Sequence, residues 1–142
     1  SRDNKQPHIA HQLLIYPMLD CDFTTKSYIE NAEGYLLTQI AMKSYWDHYL
    51  NSESDKKNPY ALPLQLTDYS NLPSALIITT EFDPLRDEGE LYAQRLKDSN
   101  IDVELTRYNG VFHGFFGRAT LIDKGKLAME EACSSLIKAF NK

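Results

Sequence analysis

An α/β fold in three layers, with helices on both faces of a parallel sheet, is what this sequence predicts. Three observations carry that prediction. Three short apolar runs, 12–16 (QLLIY), 75–80 (ALIITT) and 103–108 (VELTRY), have the length and β-branched character of strands, the first two continuous enough to be buried on both faces. Segments of helical periodicity lie between and after them, in the alternating order that right-handed crossovers of a parallel sheet produce. The chain itself has 142 residues, 42% apolar and 25% charged, which is ordinary globular composition and enough for one domain with its own core.

Taken in order, residues 1–8 (SRDNKQPH) read as a surface loop entering the first strand, which Pro17 ends. The stretch 17–74 is longer than a simple crossover needs, so something extra is built there. Its first part has no sustained period and reads as loop with at most one helical turn. From Thr38 a helix is predicted to about Asn51, capped by Thr38 and striped by Met42, Trp46, Tyr49 and Leu50. A charged connection punctuated by Pro59 and Pro63 leads to the second strand. After Asp83 a helix runs to about Ser99, with Asp87 and Glu88 in its first turn, where negative charge suits the helix dipole, and Asn100 in the left-handed position that ends it. Asn109-Gly110 after the third strand reads as a turn, and Gly114 and Gly117 loosen the loop beyond it. Residues 123–140 form an amphipathic closing helix whose apolar stripe is Met129, Cys133, Leu136, Ile137 and Phe140.

Several classes of function fall away on composition. With a net charge of −5 and its Lys and Arg scattered among Asp and Glu, the chain offers no basic face to nucleic acid. No apolar run is long enough to span a bilayer, and the N-terminus lacks the apolar core of a signal peptide. The sequence therefore reads as soluble and cytoplasmic. Cys21 and Cys133, far apart and outside any CxxC pattern, read as reduced structural thiols.

Chemistry concentrates on two residues. Asp83 follows the second strand and His113 the third, each before a helix has begun, which is where open α/β sheets place their sites. If those strands are parallel neighbours, their ends lie about 5 Å apart and the two loops sit side by side. Asp83 then accepts a hydrogen bond from one ring nitrogen of His113 and fixes its tautomer, while the other nitrogen is free to take a proton from a nucleophile. Singly, an Asp before Pro is a turn former and a His in a Gly-bounded loop is ordinary. Together, in this order and each after a strand, they read as two thirds of a nucleophilic triad.

The motifs EFDPLRDEG and RYNGVFHGFF, thirty positions apart from Asp83 to His113, with LLIYP upstream and NPYALPL and NLPSALIIT between, resemble the C-terminal half of the hormone-sensitive-lipase branch of α/β-hydrolase-fold esterases. The resemblance covers nearly the whole chain. It implies that Asp83 is the triad acid and His113 the triad base, that the three strands are the last three of an eight-stranded sheet, and that 17–50 contributes lid over an acyl pocket. It also implies hydrolysis of small carboxylic esters through a serine acyl-enzyme, without a cofactor. The family's G-x-S-x-G elbow and HGGG motif are absent from the sequence. By the resemblance both belong upstream of Ser1, so the chain is read as a fragment or one chain of a split enzyme, inactive alone and partnered by the missing N-terminal half or a second copy.

Two other readings stand beside this one: a non-catalytic assembly chain that pairs through an open strand edge, and another α/β hydrolase, such as a peptidase, with the same acid and base order. Among the remaining candidates, Leu85 and Phe116 flank the two loops and are candidates to line a substrate pocket, against the plainer alternative of packing. His8, His11 and His48 lack acidic or cysteine partners at ligand spacing, so no metal site is expected, and 20–22 (DCD) reads as a loop turn. Glu81, Asp87 and Glu88 are expected to orient the loop or cap the helix.

Overall fold

The computed structural model of the chain describes residues 2–4 and 7–141; the expectation of a surface loop over 1–8 falls outside this range at 1, 5 and 6. Three parallel strands, β1 (His11–Ile15), β2 (Ser74–Phe82) and β3 (Val103–Phe112), form one sheet with β2 in the middle. Successive residues of β2 point to opposite faces. Ala75 and Ile77 pack with Tyr92, Ala93 and Leu96 of helix α3 (Arg86–Asp98), while Leu76 and Ile78 pack with Ala128 of helix α4 (Asp123–Phe140) and with Val111 and Phe115. The three layers follow directly. A strand covered on both sides can be apolar throughout, and each such side chain contributes about 1.5–3 kcal/mol on burial.

Asn109-Gly110 is not a turn. β3 continues through it to Phe112, and the register slips so that Thr80 pairs with Tyr108 but Phe82 with Phe112. The surplus residues on β3 make a bulge, in which Gly110 takes φ +72 and donates its N–H to Glu81 Oε2 at 2.6 Å. Asn-Gly signals a positive φ, which a bulge needs as much as a turn does. The consequence is positional: Phe82 and Phe112 are partners, so the residues that follow them, Asp83 and His113, leave the sheet side by side.

α4 spans the residues predicted for it, but its buried face is a different one. Gly125, Ala128, Ala132 and Ser135 face the molecule, while Met129, Cys133, Ile137 and Phe140 are exposed and Leu136 is half-buried. Small residues allow close approach, and a Cβ at Gly125 would stand 2.7 Å from the Phe115 carbonyl oxygen. The helix docks through its smallest side chains, so the stripe of large ones points away.

The excursion between β1 and β2 holds helix α1 (Lys26–Glu30), helix α2 (Gln39–Tyr49) and two 3-10 turns, Glu53–Lys57 and Pro63–Gln65. Thr38 caps α2 by accepting from the Ala41 N–H at 3.1 Å. Met42 and Trp46 are buried, but Tyr49, expected in the same stripe, is exposed at the last turn. Together with Tyr28, Leu37 and Leu62 they enclose a cluster that also takes in Leu85 of the turn after β2. Neither Cys21 nor Cys133 is in a disulfide.

Candidate active site

Asp83 Oδ2 lies 2.9 Å from His113 Nδ1. The carboxyl is fully buried and the imidazole retains about a quarter of its surface. A carboxylate can only accept, so Nδ1 is the donor in this bond, and Nε2 makes no hydrogen bond among the described residues. The other carboxylate oxygen, Oδ1, accepts from the Leu85 N–H at 2.9 Å and so closes the turn that leads into α3. His113 is followed by Gly114 at φ +88, whose carbonyl accepts from Arg118 Nη1 at 2.6 Å. The ring of Tyr16, the residue after β1, lies with its centroid 4.2 Å from that of His113.

The acid turn is gripped from above by α1. Ser27 Oγ donates to the Pro84 carbonyl at 2.6 Å and accepts from the Asp87 N–H at 3.2 Å. In return Asp87 Oδ2 accepts from the Ser27 N–H at 2.7 Å. Each side chain satisfies a backbone donor at the start of the other's helix, donors that have no partner within their own helix. Asn31 Nδ2 adds a bond to the Asp83 carbonyl at 3.3 Å, and Arg86 pairs with Glu30 at 3.2 Å. Tyr35 stacks on Phe82 with ring centroids 4.6 Å apart, and Leu36 Cδ2 stands 3.6 Å from where a Gly114 Cβ would be. The excursion thus touches both loops.

Against known proteins, residues 1–117 match the model of a family described as having the alpha/beta hydrolase fold. The chain belongs to the α/β-hydrolase fold family. It is 40% identical over 118 residues to an arylesterase of Saccharolobus solfataricus, covering 82% of this chain and 38% of that protein. It is 31% identical over 144 positions to the carboxylesterase NlhH of Mycobacterium tuberculosis, covering 99% of this chain and 45% of that one. Among solved structures, one from an analysis of two fungal esterases of Rhizomucor miehei superposes with a TM-score of 0.92 at 39% identity, over 98% of this chain and 44% of that chain. The chain therefore spans about two fifths of the length of these relatives, and the likeness to hormone-sensitive-lipase-type esterases read from its motifs agrees with their names.

Within this α/β-hydrolase chain the other candidates separate. Leu85 is 3% exposed and packs in the cluster beneath α1 and α2, so it supports the acid turn from inside and has no surface to offer a ligand. Phe116 is half-buried beside the His113 loop. His11 bridges Ser74 Oγ at 2.8 Å and Ser135 Oγ at 3.0 Å at the opposite end of the strands, and His48 bonds the Ser44 carbonyl on the outside of α2. A cavity of about 600 Å³ lined by His8, Gln12, Tyr60 and Tyr92 shares no residue with either loop. Asp22 Oδ1 accepts from the Thr24 N–H at 2.9 Å, the turn read for that stretch.

Glu81 and Asp87 bond as just described, but Glu88 does more than favour a dipole. It is buried in the first turn of α3, where Oε1 accepts from the Leu19 N–H at 2.6 Å, and Oε2 has no partner among the described residues. Burial pushes its carboxyl up to about 8, against smaller opposing contributions from the Leu19 and Asp20 backbone. Ser27, Asn31, Tyr16 and Leu36 escaped sequence reasoning, because their contacts are with residues far away in the chain and none has a periodic or motif signal; Glu88 was placed in its helix turn, but its burial was not foreseen. The one local hint was Tyr-Pro closing an apolar run.

Proposed function

We propose that this chain supplies the acid and base of a carboxylic-ester hydrolase with a serine nucleophile. The observation that carries this reading is the Asp83 to His113 hydrogen bond at 2.9 Å, which leaves Nε2 open at the end of two paired strands. In the reaction, Nε2 takes the proton of a serine hydroxyl as its oxygen attacks the ester carbonyl, and Asp83 stabilises the imidazolium so formed. His113 then returns the proton to the departing alcohol, and water admitted to the acyl-enzyme repeats the sequence in reverse roles. The sequence contains no G-x-S-x-G and no HGG stretch, so in this reading serine and oxyanion amides come from polypeptide other than these 142 residues. Leu36 and Phe116 are the apolar side chains beside His113 suited to the acyl or alcohol group.

The experiment uses p-nitrophenyl acyl esters. The 142-residue chain alone is expected to show no turnover above its histidine background. Mixed with a polypeptide carrying the G-x-S-x-G and HGGG portion of a related esterase, it should gain turnover that falls about 10⁴-fold in Asp83→Asn and at least as far in His113→Ala. Strong turnover by the chain alone, lost in Asp83→Asn, overturns the division of labour; reconstituted turnover indifferent to His113→Ala overturns the triad role. A second reading, as an assembly chain, is favoured by β1: all five of its residues are only half-buried, and among the described residues no strand pairs with its outer edge.

A further inference from the structure

Tyr16 has a backbone conformation that few side chains tolerate. Its φ is +38, in the left-handed region, and it precedes Pro17, which disfavours helical conformations in the residue before it. Strain of this kind persists only where surrounding structure enforces it, and it gathers at functional sites. Here the enforcing contact is a hydrogen bond from the Tyr16 N–H to the Ile78 carbonyl at 2.7 Å, one step past the end of the β1 ladder. The kink turns the ring out of the sheet's alternation and onto the imidazole of His113, with centroids 4.2 Å apart and planes tilted by 52°. Phe115 backs the same ring at 6.3 Å. The Tyr16 hydroxyl makes no hydrogen bond among the described residues, so the contact belongs to the ring and not to the hydroxyl.

We propose that Tyr16 is a positioning residue for His113: its ring, turned inward by the strained end of β1, confines the imidazole to the orientation in which Nδ1 meets Asp83 and Nε2 stays free. The inference rests on the reading of His113 as the base. Tyr16 also packs at the edge of the cluster of Leu76, Ile78 and Phe115, but that packing does not require its ring to lie on the imidazole. Without the ring, one side of the imidazole loses its support and the side chain can swing about its own bonds away from Asp83.

The test is nuclear magnetic resonance of the ring N–H groups in the ¹⁵N-labelled 142-residue chain, reading the His113 Nδ1–H signal and its exchange with solvent. Tyr16→Phe keeps the ring and should leave the signal and its exchange unchanged. Tyr16→Gly removes the ring and also relieves the positive φ, so the backbone is not penalised. It should accelerate exchange up to about tenfold, the scale of one aromatic pair, while the backbone amide signals of β1 and β2 stay in place. Wild-type exchange in Tyr16→Gly, or loss of the signal in Tyr16→Phe, overturns the proposal. Asp83→Asn separates it from the reading beneath it. A signal that is absent in the wild type, or indifferent to Asp83→Asn, removes the acid and base pair itself. A signal lost in Asp83→Asn but untouched in Tyr16→Gly removes only the role of Tyr16.

Discussion

Glu88 couples the stability of this chain to pH in the direction opposite to most carboxylates. Burial raises its carboxyl from the ordinary range near 4.5 to about 8, so between those values the folded chain binds a proton that the unfolded chain has released. Stability therefore falls as pH rises from about 5 to about 8, by an amount on the order of a few kcal/mol, and levels off above. Glu88→Gln keeps an oxygen for the Leu19 N–H and removes the proton. Its urea midpoint should match that of the wild type near pH 5 and exceed it near pH 8; parallel profiles for the two would show that Glu88 is not the titrating group. The sequence placed Glu88 correctly in the first turn of α3 and read it as suiting the helix dipole and as orienting the loop or capping the helix. What it could not show is that the loop after β1 closes over it, because that cover comes from residues about seventy positions away. Asp83 and His113 were legible for the opposite reason: each lies a few positions beyond a strand-like run and inside a short motif, EFDPLRDEG or RYNGVFHGFF, that can be read locally.

At the level of elements, patterns of large apolar residues located α2 and α4 but oriented α4 wrongly, while α1 lies in a stretch without a period. The stripe of Met129, Cys133, Leu136, Ile137 and Phe140 follows helical spacing faithfully, yet α4 docks through Gly125, Ala128, Ala132 and Ser135. Hydrophobic periodicity finds the greasiest face, whereas close packing against a backbone selects the smallest. Gly125→Ala tests this. A methyl there meets the Phe115 carbonyl oxygen at 2.7 Å and the Ala119 backbone at 3.2 Å, neither of which is the end of a flexible side chain. The substitution raises helix propensity, so a helix held mainly by its own backbone would gain stability. Docked as it is, the variant should lose about 1–3 kcal/mol in urea unfolding, with the loop after His113 the first region to lose amide protection. A variant as stable as the wild type would mean that α4 does not rest on this loop. The β3 bulge teaches a related lesson, since Asn-Gly stated the dihedral it needed without saying whether the chain would reverse or continue.

For the whole molecule, two of the surfaces left uncovered among the described residues lie on different elements. One is the outer edge of β1, where HQLLI is half-buried along its length and, among the described residues, no further strand joins the sheet. The other is the outer face of α4, where Ile137 is 60% and Phe140 74% exposed. A strand edge recruits another strand through directional hydrogen bonds, whereas a helix face recruits by area alone, and burying one such large side chain is worth about 1.5–3 kcal/mol. The chain should therefore associate with itself as concentration rises and should bind ANS, as read by light scattering behind a sizing column and by dye fluorescence. Changing Ile137 and Phe140 together to Glu should weaken the dye signal, because it removes two large exposed apolar side chains from one face. It should leave association largely in place, because backbone pairing at β1 does not depend on them. If the double variant is a monomer at every concentration, the helix face and not the strand edge holds the copies together. If the unmodified chain is already a monomer that binds no dye, neither surface seeks a partner, and the reading of β1 as an edge made to pair is wrong.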